Sequence, residues 1–275
     1  GALMDIVQTS GRKITAERSS YVRHKSMKYL QLHDYYEGYF LLEGERKYFI
    51  DSKLYSLQAG DFVLVPPDVL HRSVGDNAGF YSRVLLTIPE KFMEKELVTE
   101  FYEGGTEYVL KIPAKRRKYL ESILEKMEYE TGRNDSHSEY LLKSYANELF
   151  IFLIRIKERT DFSRADKEAD RVIGEAASFI RENFDKPLTL EITARRVRMS
   201  KTYFCKMFRE KTGFGFSDYL AGVRITEASK MLTDTDMNIT NIATKCGFND
   251  SSYFATVFKR IKGVTPVKYR KSREI

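Results

Sequence analysis

The 275-residue sequence predicts an α+β multidomain chain. An antiparallel β-barrel followed by helices is expected in its N-terminal part, and an all-helical domain in its C-terminal part. Three observations carry this expectation. Up to about residue 88 the apolar residues fall in short runs, rich in aromatic and β-branched types and broken by Gly, Pro and Asp, as strands do. From residue 115 onward the apolar period changes to that of a helix. The last third of the chain then carries one helical pattern twice, at an offset of 50 residues.

The elements follow in order. The segment "GALMDIVQTSGRK" lacks the apolar stretch of a secretory leader, and Gly1–Leu3 ahead of Met4 reads as a cloning scar. Lys13, Arg18 and Arg23 lie in a polar segment that is expected to be either an arm closing over a ligand or disordered. "YFLLEG" is a strand ending in glycine, "RKYFI" and "KLYSLQ" flank a "DSK" hairpin turn, and "GDFVLVPP" alternates until a double proline stops it. Close spacing of such strands fits a small barrel or sandwich. From Lys115 to Thr131, Leu120, Ile123, Leu124 and Met127 share one helical face; from Ser138 to Glu158 a second helix is apolar over a wide arc at "LFIFLIRI". So wide an arc packs on more than one surface, and a homodimer interface within residues 115–158 is expected beside packing on the barrel. The polar stretch that follows is the linker. The expected domains are thus 1–158, with its helical part at about 90–158, a linker at 159–169, and 170–275.

Charge and composition narrow the function. No apolar run approaches the roughly 20 residues of a membrane span, so no membrane partner is expected. Two cysteines, Cys205 and Cys246, without a CxxC motif fit reduced thiols and a cytoplasmic location. The net charge of +7 is uneven: residues 170–275 hold 20 Lys and Arg against 12 Asp and Glu, and the rest of the chain holds 26 against 27. A basic domain beside a neutral one points to a polyanion, most often nucleic acid.

The repeat says which. "KTYFCKMFREKTGFGFSDY" begins at Lys201 and "SSYFATVFKRIKGVTPVKY" at Ser251; both hold Tyr-Phe, a Phe four residues later, a basic residue next, and Gly and Tyr at matching distances. Each follows a short helix and a short turn, which makes two helix-turn-helix units. Thr189 and Asn238 are expected to cap the first helices, and Ser200 and Asp250 the second. Phe204, Phe208, Phe254 and Phe258 would bury the back of each second helix and leave its opposite face free to enter a major groove.

Ile242-Ala243, Gly247-Phe248, Tyr253-Phe254, Phe258-Lys259, Gly263, Thr265-Pro266 and Tyr269-Arg270 resemble the signature of the AraC/XylS family of bacterial transcription regulators. Ala194, Ser200, Tyr203, Phe208, Gly213, Tyr219, Leu220, Arg224 and Ala228 match its first unit. Thr193 departs, standing where the family usually has an apolar residue. The resemblance implies double-stranded DNA as partner, with Lys201, Thr202, Cys205, Lys206 and Arg209 facing bases from the first unit, and Ser251, Ser252, Ala255 and Thr256 from the second. Lys259, Arg260, Lys262 and Arg270 are expected on phosphates, as are Thr189 and Thr240, where short helices begin.

"HDYYEGYFLLEG" and "GDFVLVPPDVLH" resemble the cupin-like effector domain that precedes this DNA-binding domain in many members. Gln31, His33, Tyr35, Glu37, Tyr39 and His71 are the candidate pocket for a small-molecule effector, for which the family favours a carbohydrate. In metal-binding cupins the matching positions hold four ligands. Here Gln31 replaces the first, and Pro66-Pro67-Asp68 stands where the enzymes have Pro-x-Gly. No cofactor is therefore expected; His33, Glu37 and His71 are the ligands if a metal is held. The expected function is a transcription regulator, by family habit an activator with RNA polymerase as a partner, and not an enzyme. The alternative is a metal-dependent cupin enzyme with a DNA-binding tail.

Overall fold

A computed structural model of the protein describes residues 13–22, 32–74, 79–103, 107–158 and 168–273. Gln31, Arg23 and most of the expected linker lie outside these residues. Eight strands are described: β1 (Thr15–Tyr21), β2 (Tyr35–Glu43), β3 (Glu45–Ile50), β4 (Lys53–Gln58), β5 (Asp61–Val65), β6 (His71–Val74), β7 (Tyr81–Pro89) and β8 (Val109–Lys111). They form two antiparallel sheets, one ordered β1-β7-β2-β5-β8 and the other β4-β3-β6. The "DSK" turn places Asp51 and Ser52 at φ of 43° and 77°, the left-handed pair that joins strands without splaying them. Arg18 sits in β1 with its guanidinium on Glu128, at 2.9 Å, so the segment around it is a strand of the sheet rather than an arm.

Strand alternation divides the apolar residues between two cores. Tyr36, Phe40, Phe62, Leu64, Leu86 and Ile88 leave the larger sheet on its outer face. There they meet α2 (Ala114–Arg133) and α3 (Ser138–Lys157), preceded by the short α1 (Lys95–Tyr102). Tyr39, Leu41, Tyr48, Ile50, Val63 and Val65 point between the sheets. Most of the wide arc of α3 is spent inside the chain: Leu149, Phe150, Phe152, Leu153, Ile154 and Ile156 are buried, while Tyr140, Leu141 and Ile151 stay exposed.

The C-terminal domain comprises α4 (Glu168–Glu182), α5 (Leu190–Arg196), α6 (Lys201–Thr212), α7 (Phe216–Asp234), α8 (Ile239–Lys245), α9 (Ser251–Lys262) and α10 (Pro266–Arg273). The α5–α6 and α8–α9 pairs are the two helix-turn-helix units, and α7 joins them. Their core is continuous with the barrel. Phe49, on the outer face of β3, packs edge-on against Phe214 and Tyr219 at ring-centroid distances of 5.8 and 5.7 Å. Leu32 and Leu70 join the same cluster. The smaller sheet thus serves as a floor for the helical domain.

Candidate nucleic-acid interface and barrel site

The second helix of each unit is fixed at both ends by its own sequence. Ser200 Oγ accepts from the Tyr203 amide and Asp250 Oδ1 from the Tyr253 amide, at 3.3 and 2.6 Å. Thr189 and Asn238 cap α5 and α8 in the same way, at 3.2 and 2.8 Å. Gly213 and Gly263 end α6 and α9 at φ of 77° and 72°, where a Cβ would be strained. Phe204 and Phe208, and Phe254 and Phe258, are fully buried behind the two helices. Thr193 is buried too, and its hydroxyl donates to the Thr189 carbonyl at 3.2 Å, which satisfies the polar atom that replaces an apolar side chain.

On the faces opposite the phenylalanines, Lys201, Thr202, Cys205, Lys206 and Arg209 are exposed on α6, and Ser251, Ser252, Thr256 and Lys259 on α9, with Ala255 and Arg260 partly covered. Lys206 holds only a loose ion pair with Glu210, at 3.8 Å, and both side chains are solvated. Thr189 and Thr240 are exposed at the starts of α5 and α8. Two expected phosphate contacts are placed elsewhere. Lys262 is 2% exposed, and its ammonium is held by the Asp68 carboxylate of the barrel. Arg270 donates to the carbonyls of Leu232 and Met237, at 3.2 and 2.6 Å, and so closes the end of α7 against the approach to α8. Position after the helical stripe suggested solvent for both; the fold turns them inward. Tyr203 and Tyr253, which the sequence pairs with core residues, are instead 53% and 57% exposed and extend the two faces. Their recurrence at the 50-residue offset was the available signal.

The barrel site is built around β2. Tyr35, Glu37 and Tyr39 alternate onto the face that looks between the sheets. Glu37 is 2% exposed and stands between two buried histidines, with His33 Nε2 at 3.5 Å from one carboxylate oxygen and His71 Nε2 at 3.6 Å from the other. Tyr35 stacks on His33 at 3.9 Å. His71 Nδ1 lies 2.9 Å from the Val69 carbonyl, to which it donates, and this contact orients the ring with Nε2 toward Glu37. Both His33 ring nitrogens, His71 Nε2 and Glu37 Oε1 have no hydrogen-bond partner among the described residues. Burial lowers the pKa of His33, and although burial works to raise the Glu37 carboxyl, the two histidines together hold it below the usual carboxylate range. Chemically, the trio can offer one carboxylate and two imidazoles to a single divalent ion.

Beyond the trio the interior is aromatic and cationic. Tyr39 and Tyr48 are buried, the Tyr48 hydroxyl has no hydrogen-bond partner among the described residues, and the Arg83 guanidinium lies 5.2 Å from the Tyr39 ring. Arg46 lies over Tyr81 at 4.3 Å. Burial raises the Tyr39 and Tyr48 phenols, so they remain proton donors at neutral pH.

The barrel rim grips the helical domain with charges that sequence reading did not find. Arg72, next to His71, donates to the Gly213 carbonyl at the end of α6. Asp68 takes Lys262 at the end of α9. Asp51, in the β3–β4 turn, pairs with Arg181 of α4, and Ser52 Oγ is 3.2 Å from the Tyr219 hydroxyl. These partners are 130 to 194 residues apart, which is why no local pattern announces them.

An antiparallel barrel set on a domain of two capped helix-turn-helix units, each with a polar outer face, has the architecture of a DNA-binding protein. The comparisons narrow this. A helix-turn-helix domain family matches residues 193–272 and a cupin domain family matches residues 24–79. The chain is 22% identical over 259 residues to the HTH-type transcriptional activator RhaR of Mannheimia succiniciproducens, covering 94% of this chain and 91% of that protein. It is 23% identical to the Msm operon regulatory protein of Streptococcus mutans, covering 87% and 85%. Of an uncharacterized HTH-type transcriptional regulator from Staphylococcus aureus, 26% identical, it spans only 31%. Among solved structures, the C-terminal domain of AraT, a response regulator from Geobacillus stearothermophilus, is 31% identical, with 40% of this chain and 91% of that one covered and a TM-score of 0.38. The chain carries a helix-turn-helix domain of the AraC type and a cupin domain, and it is a DNA-binding transcription regulator.

Proposed function

We propose that the protein is a ligand-controlled activator, in which a small molecule bound between the sheets of the barrel changes how α6 and α9 engage DNA. One observation carries the reading: two capped helices, each with its phenylalanines buried behind it and its polar face exposed, stand in the basic domain and rest on the barrel floor. Lys201, Thr202, Cys205, Lys206 and Arg209 read bases from α6, and Ser251, Ser252, Ala255 and Thr256 from α9. Lys259, Arg260, Thr189 and Thr240 position the backbone. With mostly small side chains on α9, the first unit supplies more of the specificity. The names of the relatives from Mannheimia succiniciproducens and Cronobacter sakazakii support activation, and hence a contact with RNA polymerase.

The buried tyrosines Tyr39 and Tyr48, with Arg46 and Arg83 near them, suit a polar metabolite, and a carbohydrate stacks and hydrogen-bonds well on such walls. A homodimer forms through the exposed remnant of α2 and α3, where Tyr119, Ile151 and Arg155 border a groove of about 760 Å³. The protein acts in the cytoplasm and is not an enzyme; turnover by the chain loaded with iron or manganese would favour the rival reading of a cupin enzyme.

Selection of duplexes from a random library with the full chain tests the core of this reading. Enrichment of a motif in two parts spaced about one helical turn apart, roughly 10 base pairs, is expected; a pool that stays random refutes it. Thermal-shift screening of sugars tests the effector, since a ligand at a hundredfold excess over its Kd stabilises by about 2.7 kcal/mol.

A further inference from the structure

We propose that Arg198, in the turn of the first helix-turn-helix unit, is a phosphate anchor that fixes α6 on DNA and has no counterpart in the turn of the second unit. This rests on the reading of the protein as a DNA-binding regulator.

The two turns share one backbone course. In the first, the Arg198 amide donates to the Arg195 carbonyl at 3.0 Å and the Met199 amide to the Ala194 carbonyl at 2.9 Å. In the second, the Gly247 amide donates to the Thr244 carbonyl and the Phe248 amide to the Ala243 carbonyl, both at 2.9 Å. Such a pair of bonds closes a helix end through one left-handed residue. Here these residues are Arg198 at φ 57° and Gly247 at φ 78°. Glycine adopts the conformation freely, whereas a Cβ is crowded there against its own backbone.

Arg198 stands apart from the other residues that bear this strain. Five described residues other than glycine have positive φ: Asp51, Ser52, Asp68, Asn134 and Arg198. The first four are short and polar, and each has a partner inside the chain: Arg181 for Asp51, Tyr219 for Ser52, Lys262 for Asp68 and Lys13 for Asn134. Arg198 is long and exposed, and among the described residues it holds no ion pair or side-chain hydrogen bond. Its basic neighbours are occupied, Arg195 by Glu191 at 2.6 Å and Arg196 by Glu175 at 3.4 Å. No contact within the described chain offsets the strain at Arg198, and strained positions of this kind cluster at functional sites.

Space explains why only one turn carries a side chain. A Cβ at Gly247 would lie 2.7 Å from the Phe184 carbonyl oxygen and 2.8 Å from the Arg224 guanidinium. The second turn is thus covered by the stretch after α4 and by α7, while Arg198 is open to solvent. Arg198 lies two residues ahead of the Ser200 cap and three ahead of Lys201, where α6 begins. A helix-turn-helix unit sets the start of its second helix into the major groove, between the phosphates of the two strands. A free guanidinium at that entry has the reach and the paired donors to take a phosphate.

The test uses the full chain and a duplex selected as above. Arg198→Gly suits the left-handed turn and removes the cation; Arg198→Asn is a second neutral variant at ease in that conformation. Arg198→Lys keeps the charge. In both neutral variants the slope of log affinity against log salt should fall by about 0.9, so that between 50 and 200 mM salt the wild type loses about 3.5-fold more affinity than they do. The affinity lost should be the same factor on selected and unselected duplexes, because a phosphate contact carries no sequence. The melting temperature of Arg198→Gly should hold or rise. Arg198→Lys should keep the slope. Duplexes with one phosphate replaced by methylphosphonate should include a position that weakens the wild type and leaves Arg198→Gly unaffected. An unchanged slope in the neutral variants overturns the anchor, as does a slope lowered just as far in Arg198→Lys, since charge would then not carry the effect. Equal sensitivity of wild type and Arg198→Gly at every methylphosphonate also overturns the contact. A wild-type chain that binds no duplex overturns the regulator reading itself, whereas one that binds with the same slope as its neutral variants overturns this inference alone.

Discussion

Lys259 and Lys262 lie three residues apart at the end of α9, and the structure gives them opposite roles. Lys259 is exposed beside the DNA-facing surface, and Lys262 is 2% exposed against Asp68, whose side chain is 21% exposed. Each phosphate neutralised contributes about 0.9 to the slope of log affinity against log salt. Lys259→Ala should lower that slope by about 0.9, so that between 50 and 200 mM salt the wild type loses about 3.5-fold more affinity than the variant. Its thermal stability should not move. Lys262→Met keeps the buried stem and should leave the slope alone. Removing one partner of a buried ion pair costs roughly 3–5 kcal/mol. Because Asp68 recovers some water, we expect about 1–3 kcal/mol here. Asp68→Asn in the Lys262→Met background should regain part of this, because the stranded charge is gone. Anisotropy at four salt concentrations and calorimetry of the four proteins provide the data. A Lys262→Met chain with unchanged melting and a slope lowered by about one would refute the argument, since that lysine would then be serving DNA.

Lys206→Ala should cost about 1–3 kcal/mol on selected duplex and relax one base position; because its pair with Glu210 is loose and exposed, melting should stay put, and an equal loss on all duplexes would sink the base-reading role. Phe208→Ala and Phe258→Ala each empty a fully buried site and should destabilise by about 3–5 kcal/mol in urea titrations. The two thiols should separate under alkylation: Cys205 is exposed, while burial pushes Cys246 up to about 12, so Cys205 should react first and bound duplex should protect it.

Much of this molecule is legible in the sequence because it is local. Caps at Thr189, Ser200, Asn238 and Asp250 need only a side-chain oxygen three residues before an amide. The phenylalanines and the turn glycines recur at one offset, so each unit announces the other. Strand alternation says that only some of the candidate pocket residues can face inward, and it took the structure to turn Tyr35, Glu37 and Tyr39 that way. The sequence could not rank His33, Glu37 and His71, because a missing fourth ligand at Gln31 says nothing about whether the remaining three converge. That depended on β2 and β6 closing one barrel. Nor could it place Lys262 and Arg270, whose helical positions look outward until the barrel rim and the end of α7 arrive to receive them. The grip of Asp51, Asp68 and Arg72 on the helical domain joins residues more than a hundred positions apart. Contacts of that kind have no period, and only the packing of two separately patterned domains brings them together.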